Sequence, residues 1–167
     1  SLKIFNNKYV NYKILNDGSR FSGDDFKINS KKNKIIFVGG SFTLGQAIND
    51  EETLTFQLQK NIKNYQVKNF GVSGYGSYQS YLKLKKILDK FENIDYVIYP
   101  FIDHHEIRNI GDASWLEFLS KNARAPVSIP YVKLSRGNEI IEYSPVKYIV
   151  LPYSDNSVLI SKIQKKL

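Results

Sequence analysis

Three short runs rich in β-branched and aromatic residues do most to restrict how this chain can fold. They are Lys34-Ile35-Ile36-Phe37-Val38, Tyr65-Gln66-Val67-Lys68-Asn69-Phe70 and Tyr96-Val97-Ile98-Tyr99-Pro100-Phe101. The first stops at Gly39-Gly40, and a continuous apolar run of this length closed by glycines reads as a fully buried parallel strand. The second ends in Gly71-Val72-Ser73-Gly74-Tyr75-Gly76, and the third leads into Ile102-Asp103-His104-His105-Glu106. Segments of helical period separate them. Asn49-Asp50-Glu51-Glu52-Thr53 opens one with carboxylates that complement the helix dipole, and Leu54, Leu58 and Ile62 then recur on one face with Phe56 alongside. A second helix is predicted from about Ser77 to Phe91, with Tyr81, Leu84, Leu88 and Phe91 on its apolar face. Strand, helix, strand, helix, strand is the βαβαβ pattern of a doubly wound α/β sheet.

The flanks are less regular. Ahead of the first strand, Lys8 to Leu15 reads as extended and Asn16-Asp17-Gly18-Ser19 as a turn. Beyond Ile110 the pattern changes to a short helix from Ser114 to Asn122 around Trp115, then a hairpin with Tyr131–Leu134 and Ile140–Tyr143 about Ser135-Arg136-Gly137-Asn138-Glu139. A last helix is predicted over Ser157 to Leu167, nearly apolar on one side through Val158, Leu159, Ile163 and Leu167.

Composition narrows the chemistry. The chain has 167 residues and a net charge of +8, from 24 basic and 16 acidic residues. Such a charge would suit an acidic partner, but the basic residues are lysines except for Arg20, Arg108, Arg124 and Arg136. Their scattered placement, with short clusters at Lys31-Lys32, Lys83-Lys85-Lys86 and Lys165-Lys166, reads as a solvated surface and not as a specific nucleic-acid reader. Cysteine is absent, which excludes disulfides, thiolate catalysis and Cys-ligated zinc. No apolar run approaches the roughly 18 to 20 residues needed to span a bilayer.

In an open α/β sheet, sites form beyond the carboxyl ends of the strands. Ser41 stands there, after two glycines that permit a sharp turn and close approach to a ligand. Its hydroxyl would lie near a helix N-terminus, where backbone N–H groups can stabilise an oxyanion; a turn or cap role is the plainer alternative. Gln46-Ala47 after Gly45 excludes a phosphate-binding loop of the Walker A type, and Gly71 to Gly76 lacks dinucleotide-binding spacing. Thr43 stands where a G-x-S-x-G elbow needs its second glycine. Adjacent His104 and His105 are poorly spaced to converge on one metal ion, and no cofactor is called for.

Taken together, the three loops resemble the SGNH/GDSL hydrolase superfamily over roughly residues 16 to 110. Ile36-Phe37-Val38-Gly39-Gly40-Ser41-Phe42-Thr43-Leu44-Gly45 is similar to the first block, which implies Ser41 as nucleophile. Asn69-Phe70-Gly71-Val72-Ser73-Gly74-Tyr75-Gly76 resembles the second, which implies Gly74 as an oxyanion-hole donor. Asp95 to His104 aligns with the third, and Asn16-Asp17-Gly18-Ser19-Arg20 resembles a segment ahead of the first block in bacterial, often membrane-anchored members. The resemblance implies a three-layer α/β/α, flavodoxin-like fold with a parallel sheet, in one domain over residues 1–167. Residues 1–33 would be an N-terminal extension and 111–156 an insertion. It also implies a serine esterase or O-acyltransferase acting on a small ester or an acylated carbohydrate, and placement in the cell envelope or outside the cell.

The departures are specific. Gly40 replaces the Asp before the nucleophile, Ile102 replaces a Gly, and His104 stands where the oxyanion-hole Asn is expected. An imidazole N–H can donate the same bond. The D-x-x-H block that supplies the family's general base is absent, since Asp155-Asn156-Ser157-Val158 has the acid without a histidine. Three explanations stand. The chain is a fragment incomplete at its C-terminus, which is the reading preferred here; His104 or His105 acts on Ser41 with Asp103 or Glu106 nearby; or the scaffold binds a carbohydrate or partner without catalysis.

Overall fold

The computed structural model describes residues 2–5, 8–23, 33–123, 127–149, 151, 153 and 156–164. Lys31, Lys32, Arg124, Asp155, Lys165, Lys166 and Leu167, which entered the sequence reading, lie outside the described residues. The chain forms two compact units, residues 1–105 and 106–167, divided close to where the sequence pattern changes.

The first unit is built on a parallel sheet. Strand β3 (Asn33–Phe37) lies between β4 (Tyr65–Asn69) and β5 (Ile94–Ile98), parallel to both. A small antiparallel hairpin of β1 (Leu2–Phe5) and β2 (Lys8–Asn11) precedes them. The fold class is α/β, as the alternation of periods predicts. Alternate residues of β3 face opposite sides and nucleate two cores. Ile36, Val38 and Phe70 join Ile87 of helix α3 (Ser77–Leu88), with Leu84 and Phe91 packed against them. Ile35, Phe37 and Val67 form the other core, against which Leu58 of α2 (Leu54–Asn61) and Ile62 pack. Ile36 is wholly buried, and burying such a side chain is worth about 1.5–3 kcal/mol.

The helical stripes differ from expectation. The carboxylate-rich start, Asp50–Glu52, is a separate 3-10 turn, and the Thr53 hydroxyl accepts from Phe56 N (3.2 Å) to cap α2. On α2, Leu54 is exposed, while Thr55 and Gln59 are buried. The reason is backbone satisfaction: Gln59 Nε2 donates to Ile62 O and Tyr65 O (3.0 Å each), and its Oε1 accepts from Val67 N (2.7 Å). One amide thereby closes the α2–β4 connection. On α3, Tyr81 and Leu88 are half-exposed, and Ile87 with Ser80 takes the buried face. The third strand ends at Ile98, short of the predicted Phe101, and Tyr96, Val97 and Ile98 are substantially exposed on this edge strand.

The second unit contains α5 (Ala113–Ala123), the antiparallel pair β6 (Val127–Leu134) and β7 (Ile140–Tyr148), and α6 (Val158–Gln164); α4 (His104–Asn109) spans the division. Asp112 Oδ1 accepts from Ser114 N (2.9 Å) at the start of α5, and Ser135 N donates to Glu139 O (2.8 Å) in the hairpin turn. Val158, Leu159 and Ile163 of α6 are exposed, and Gln164 is its buried residue.

Candidate active site

Strand β3 delivers the chain to the first loop, and Ser41 is the first residue of α1 (Ser41–Leu44). Ser41 is half-buried and lines an open cavity of about 360 Å³ together with Phe42, Gly45, Gln46, Ala47 and Ile48. Phe42 is 77 % exposed, so the serine stands beside apolar surface that solvent reaches. The opening N–H groups of a helix have no intrahelical partner and can serve an anionic oxygen.

The second loop is bound tightly to the first. Phe70 N donates to Phe37 O (2.8 Å) and Val72 N to Gly39 O (2.9 Å), extending the strand pairing beyond β3 and β4. A Cβ on Gly71 would lie 2.4 Å from Leu44 N and 2.8 Å from Thr43 C, so only glycine allows the loops this approach. Ser73 Oγ donates to Gln46 Oε1 (2.5 Å). Tyr75 N bonds Val72 O (3.2 Å) across a tight turn in which Gly74 has a left-handed φ of 86°.

Two polar side chains brace this pair of loops from within. Asn69, fully buried, donates from Nδ2 to Thr43 O (2.8 Å) and Thr55 Oγ1 (3.2 Å), and accepts from Gly71 N (3.0 Å). Arg20, also buried, donates from Nη1 to Leu44 O (2.7 Å) and Gly45 O (2.5 Å), from Nη2 to Ile48 O (2.8 Å) and from Nε to Asp50 Oδ1 (2.7 Å). Its guanidinium lies 4.9 Å from the Tyr12 ring centroid. The sequence places Arg20 in the segment ahead of the first block and Asn69 at the head of the second, but neither signal discloses this bracing role.

The third loop separates the two histidines. Asp103 and His104 are exposed. His105 is 1 % exposed, and its Nδ1 is hydrogen-bonded to the Tyr99 hydroxyl, which in turn bonds Ser77 Oγ (2.8 Å) at the start of α3. The His105 ring also packs against the Tyr99 and Phe101 rings, with centroids 5.4 and 5.7 Å away. Neither Tyr99 nor Ser77 carried a signal in the sequence. The Nδ1 of His105 is thus committed to Tyr99 and not to Ser41.

Among the described residues no cluster of His, Asp and Glu could hold a metal ion, and no helix is long and apolar enough to cross a membrane. No protein-family model matches this chain, and no curated protein matches it.

Proposed function

We propose that this chain is an SGNH-type serine acyl esterase with a three-layer α/β/α, flavodoxin-like first unit, acting on O-acetyl groups of a carbohydrate or cell-wall polymer. The observation that carries the reading is a half-buried Ser41 at the carboxyl end of a central parallel strand, in a loop hydrogen-bonded and packed against the loop of Gly74. Ser41 attacks the ester carbonyl, and the N–H groups of Ser41 and Gly74, with the His104 imidazole, receive the oxyanion. Phe42 and Ile48, both exposed beside Ser41, supply an apolar wall for the substrate. The proton of Ser41 passes to an Asp-oriented histidine outside residues 1–167, or to His104 acting as a substitute base in place of its oxyanion role. Water or a sugar hydroxyl then accepts the acyl group. An anchored parent in the cell envelope belongs to the same proposal.

A second reading, a carbohydrate- or partner-binding module on the same scaffold, is favoured by one observation: the buried His105 commits its Nδ1 to the Tyr99 hydroxyl. Turnover of p-nitrophenyl acetate by the chain and by Ser41→Ala separates the two. The esterase reading expects the alanine variant to lose at least about a hundredfold, within the range a positioned acid–base pair supplies. Equal rates for the two proteins, with no labelling of Ser41 by a fluorophosphonate, remove the enzyme and leave the binding module.

A further inference from the structure

The sheet face that packs on α3 is apolar only along part of its length. Ile36, Val38 and Phe70 are buried in its core, but Lys34 and Lys68 share this face at 4 % and 8 % exposure, with Gln66 buried beside them. Register sets the arrangement, because Lys34 pairs with Gln66 and Ile36 with Lys68, so the two lysines project from the same side of adjacent strands. Lys90, Phe91 and Glu92, which follow α3, and Asp17 from the turn before Arg20 complete an open cavity of about 340 Å³. It sits toward the amino end of β3, whereas Ser41 follows its carboxyl end.

Among the described residues, three ammonium groups line the cavity against the carboxylates of Asp17 and Glu92. Lys68 Nζ pairs with Asp17 Oδ2 at 2.5 Å and lies 5.4 Å from the Phe91 ring centroid, and Lys34 Nζ donates to Glu92 O at 2.9 Å. Asp17 is also held by Ser19, through its N (2.9 Å) and Oγ (2.6 Å). Burying two like charges on one sheet face costs stability even where, as here, Asp17 faces Lys68 and Glu92 lies near Lys34, and an apolar pair would satisfy the fold with less. Burial, followed by repulsion from Lys68, holds the Lys34 amine below its ordinary value against the opposing attraction of Glu92. An anion in the cavity offsets the repulsion between the two amines, and its bonds to ammonium groups are of the strong, charge-assisted kind.

We infer that the cavity between Lys34, Lys68 and Lys90 is a binding site for a phosphate group, free or carried on a small ester. The two buried ammoniums face it from the sheet, Lys90 closes it from the rim, and Asp17 holds Lys68 in place. The volume lies at the lower end of the small-ligand range and exceeds one phosphate, leaving room for the group that carries it. This site does not depend on the esterase reading.

The test is thermal unfolding of the chain titrated with inorganic phosphate and, in parallel, methyl phosphate, against sodium chloride and acetate at matched ionic strength. Phosphate should raise the Tm progressively where chloride does not. Lys34→Met, which keeps the apolar stem and removes one buried ammonium, should unfold no lower than the parent without phosphate and bind phosphate at least about tenfold more weakly, a loss of about 1.4 kcal/mol. Lys90→Ala, an exposed change that leaves the interior intact, should weaken binding severalfold and decides the matter should Lys34→Met fail to fold. Tighter binding of methyl phosphate places the carrier group in the remaining volume; tighter binding of the free ion assigns the site to inorganic phosphate. A phosphate response equal in the parent and Lys90→Ala, no response at all, or a response to acetate alone overturns the inference.

Discussion

Removing Arg20 tests whether the loop that bears Ser41 is held from within. The side chain is wholly buried and makes four hydrogen bonds, three to the carbonyls of Leu44, Gly45 and Ile48 and one to Asp50, whose own side chain is 13 % exposed. Arg20→Ala leaves a carboxylate without its cation and three carbonyls without their donor. Breaking a buried pair on one side typically costs about 3–5 kcal/mol, because the surviving charge keeps its desolvation penalty. With a urea m-value of about 2 kcal/mol per molar, the midpoint should fall by about 2 M. Arg20→Lys keeps the charge but loses the planar fork, so it should fall between the parent and Arg20→Ala. Asp50→Asn combined with Arg20→Ala should cost less than the sum of the single changes, by more than about 1 kcal/mol, if the pair acts as a unit. Equilibrium urea unfolding followed by tyrosine and tryptophan fluorescence reads each value. An Arg20→Ala cost below about 1 kcal/mol, or one equal to that of exposed Arg136→Ala, would refute the bracing argument.

Two further outcomes follow from the same loops. Gly71→Ala forces a methyl group against the Leu44 amide and should cost about 1–3 kcal/mol, while Gly137→Ala, whose nearest neighbour would be 3.7 Å away, should stay within about 0.5 kcal/mol; paired melting curves check both. Burial pushes the Asp17 carboxyl up, but hydrogen bonds from Lys68 and Ser19 outweigh it, leaving the group below its ordinary value. That stabilisation is fully present above the unfolded value of 3.8 and is lost as pH falls through the folded one. The stability gap between the parent and Asp17→Asn should therefore shrink on acidification, and a gap that is constant from neutral to strongly acid pH contradicts the assignment.

Strand β3 was legible because a central parallel strand buries both faces, and burial on both faces writes a nearly continuous apolar run into the chain. Strand β4, at the sheet edge with Gln66, Lys68 and Asn69 in it, was legible mainly from Tyr65, Val67 and the glycine loop that follows. The helices were legible as helices but not in orientation. A period of 3.6 identifies a stripe, yet Leu54, Tyr81 and Leu88 lie on exposed surface while Thr55, Gln59 and Ser80 are buried. Those polar residues succeed inside because each is hydrogen-bonded: Gln59 to the backbone of Ile62, Tyr65 and Val67, Thr55 to the Thr53 and Asn69 side chains, and Ser80 to Gly76 O, and a helical stripe does not disclose such partners. The chemistry of the loops was readable in the same limited way. Ser41 and the Gly71–Gly76 loop stand out by residue type, and tertiary structure brings those loops into contact through Gly71, Ser73 and Gln46.

The sequence alone determines the α/β class and the alternation of strand and helix, because side-chain periodicity is a local property of each element. It also determines which chemistries are open, since a chain without cysteine and with adjacent histidines has a short list of reactive groups. Only the tertiary structure distinguishes His105, buried against Tyr99 and Phe101, from its exposed neighbour His104. It alone turns Arg20 and Asn69 into braces and draws Lys34 and Lys68 onto one cavity. The physical reason is that burial and hydrogen-bond partnership are set by how elements pack: Arg20 and Asn69 meet partners tens of positions away, strand register brings Lys34 and Lys68 to one face, and the turn after β5 folds His105 back on Tyr99.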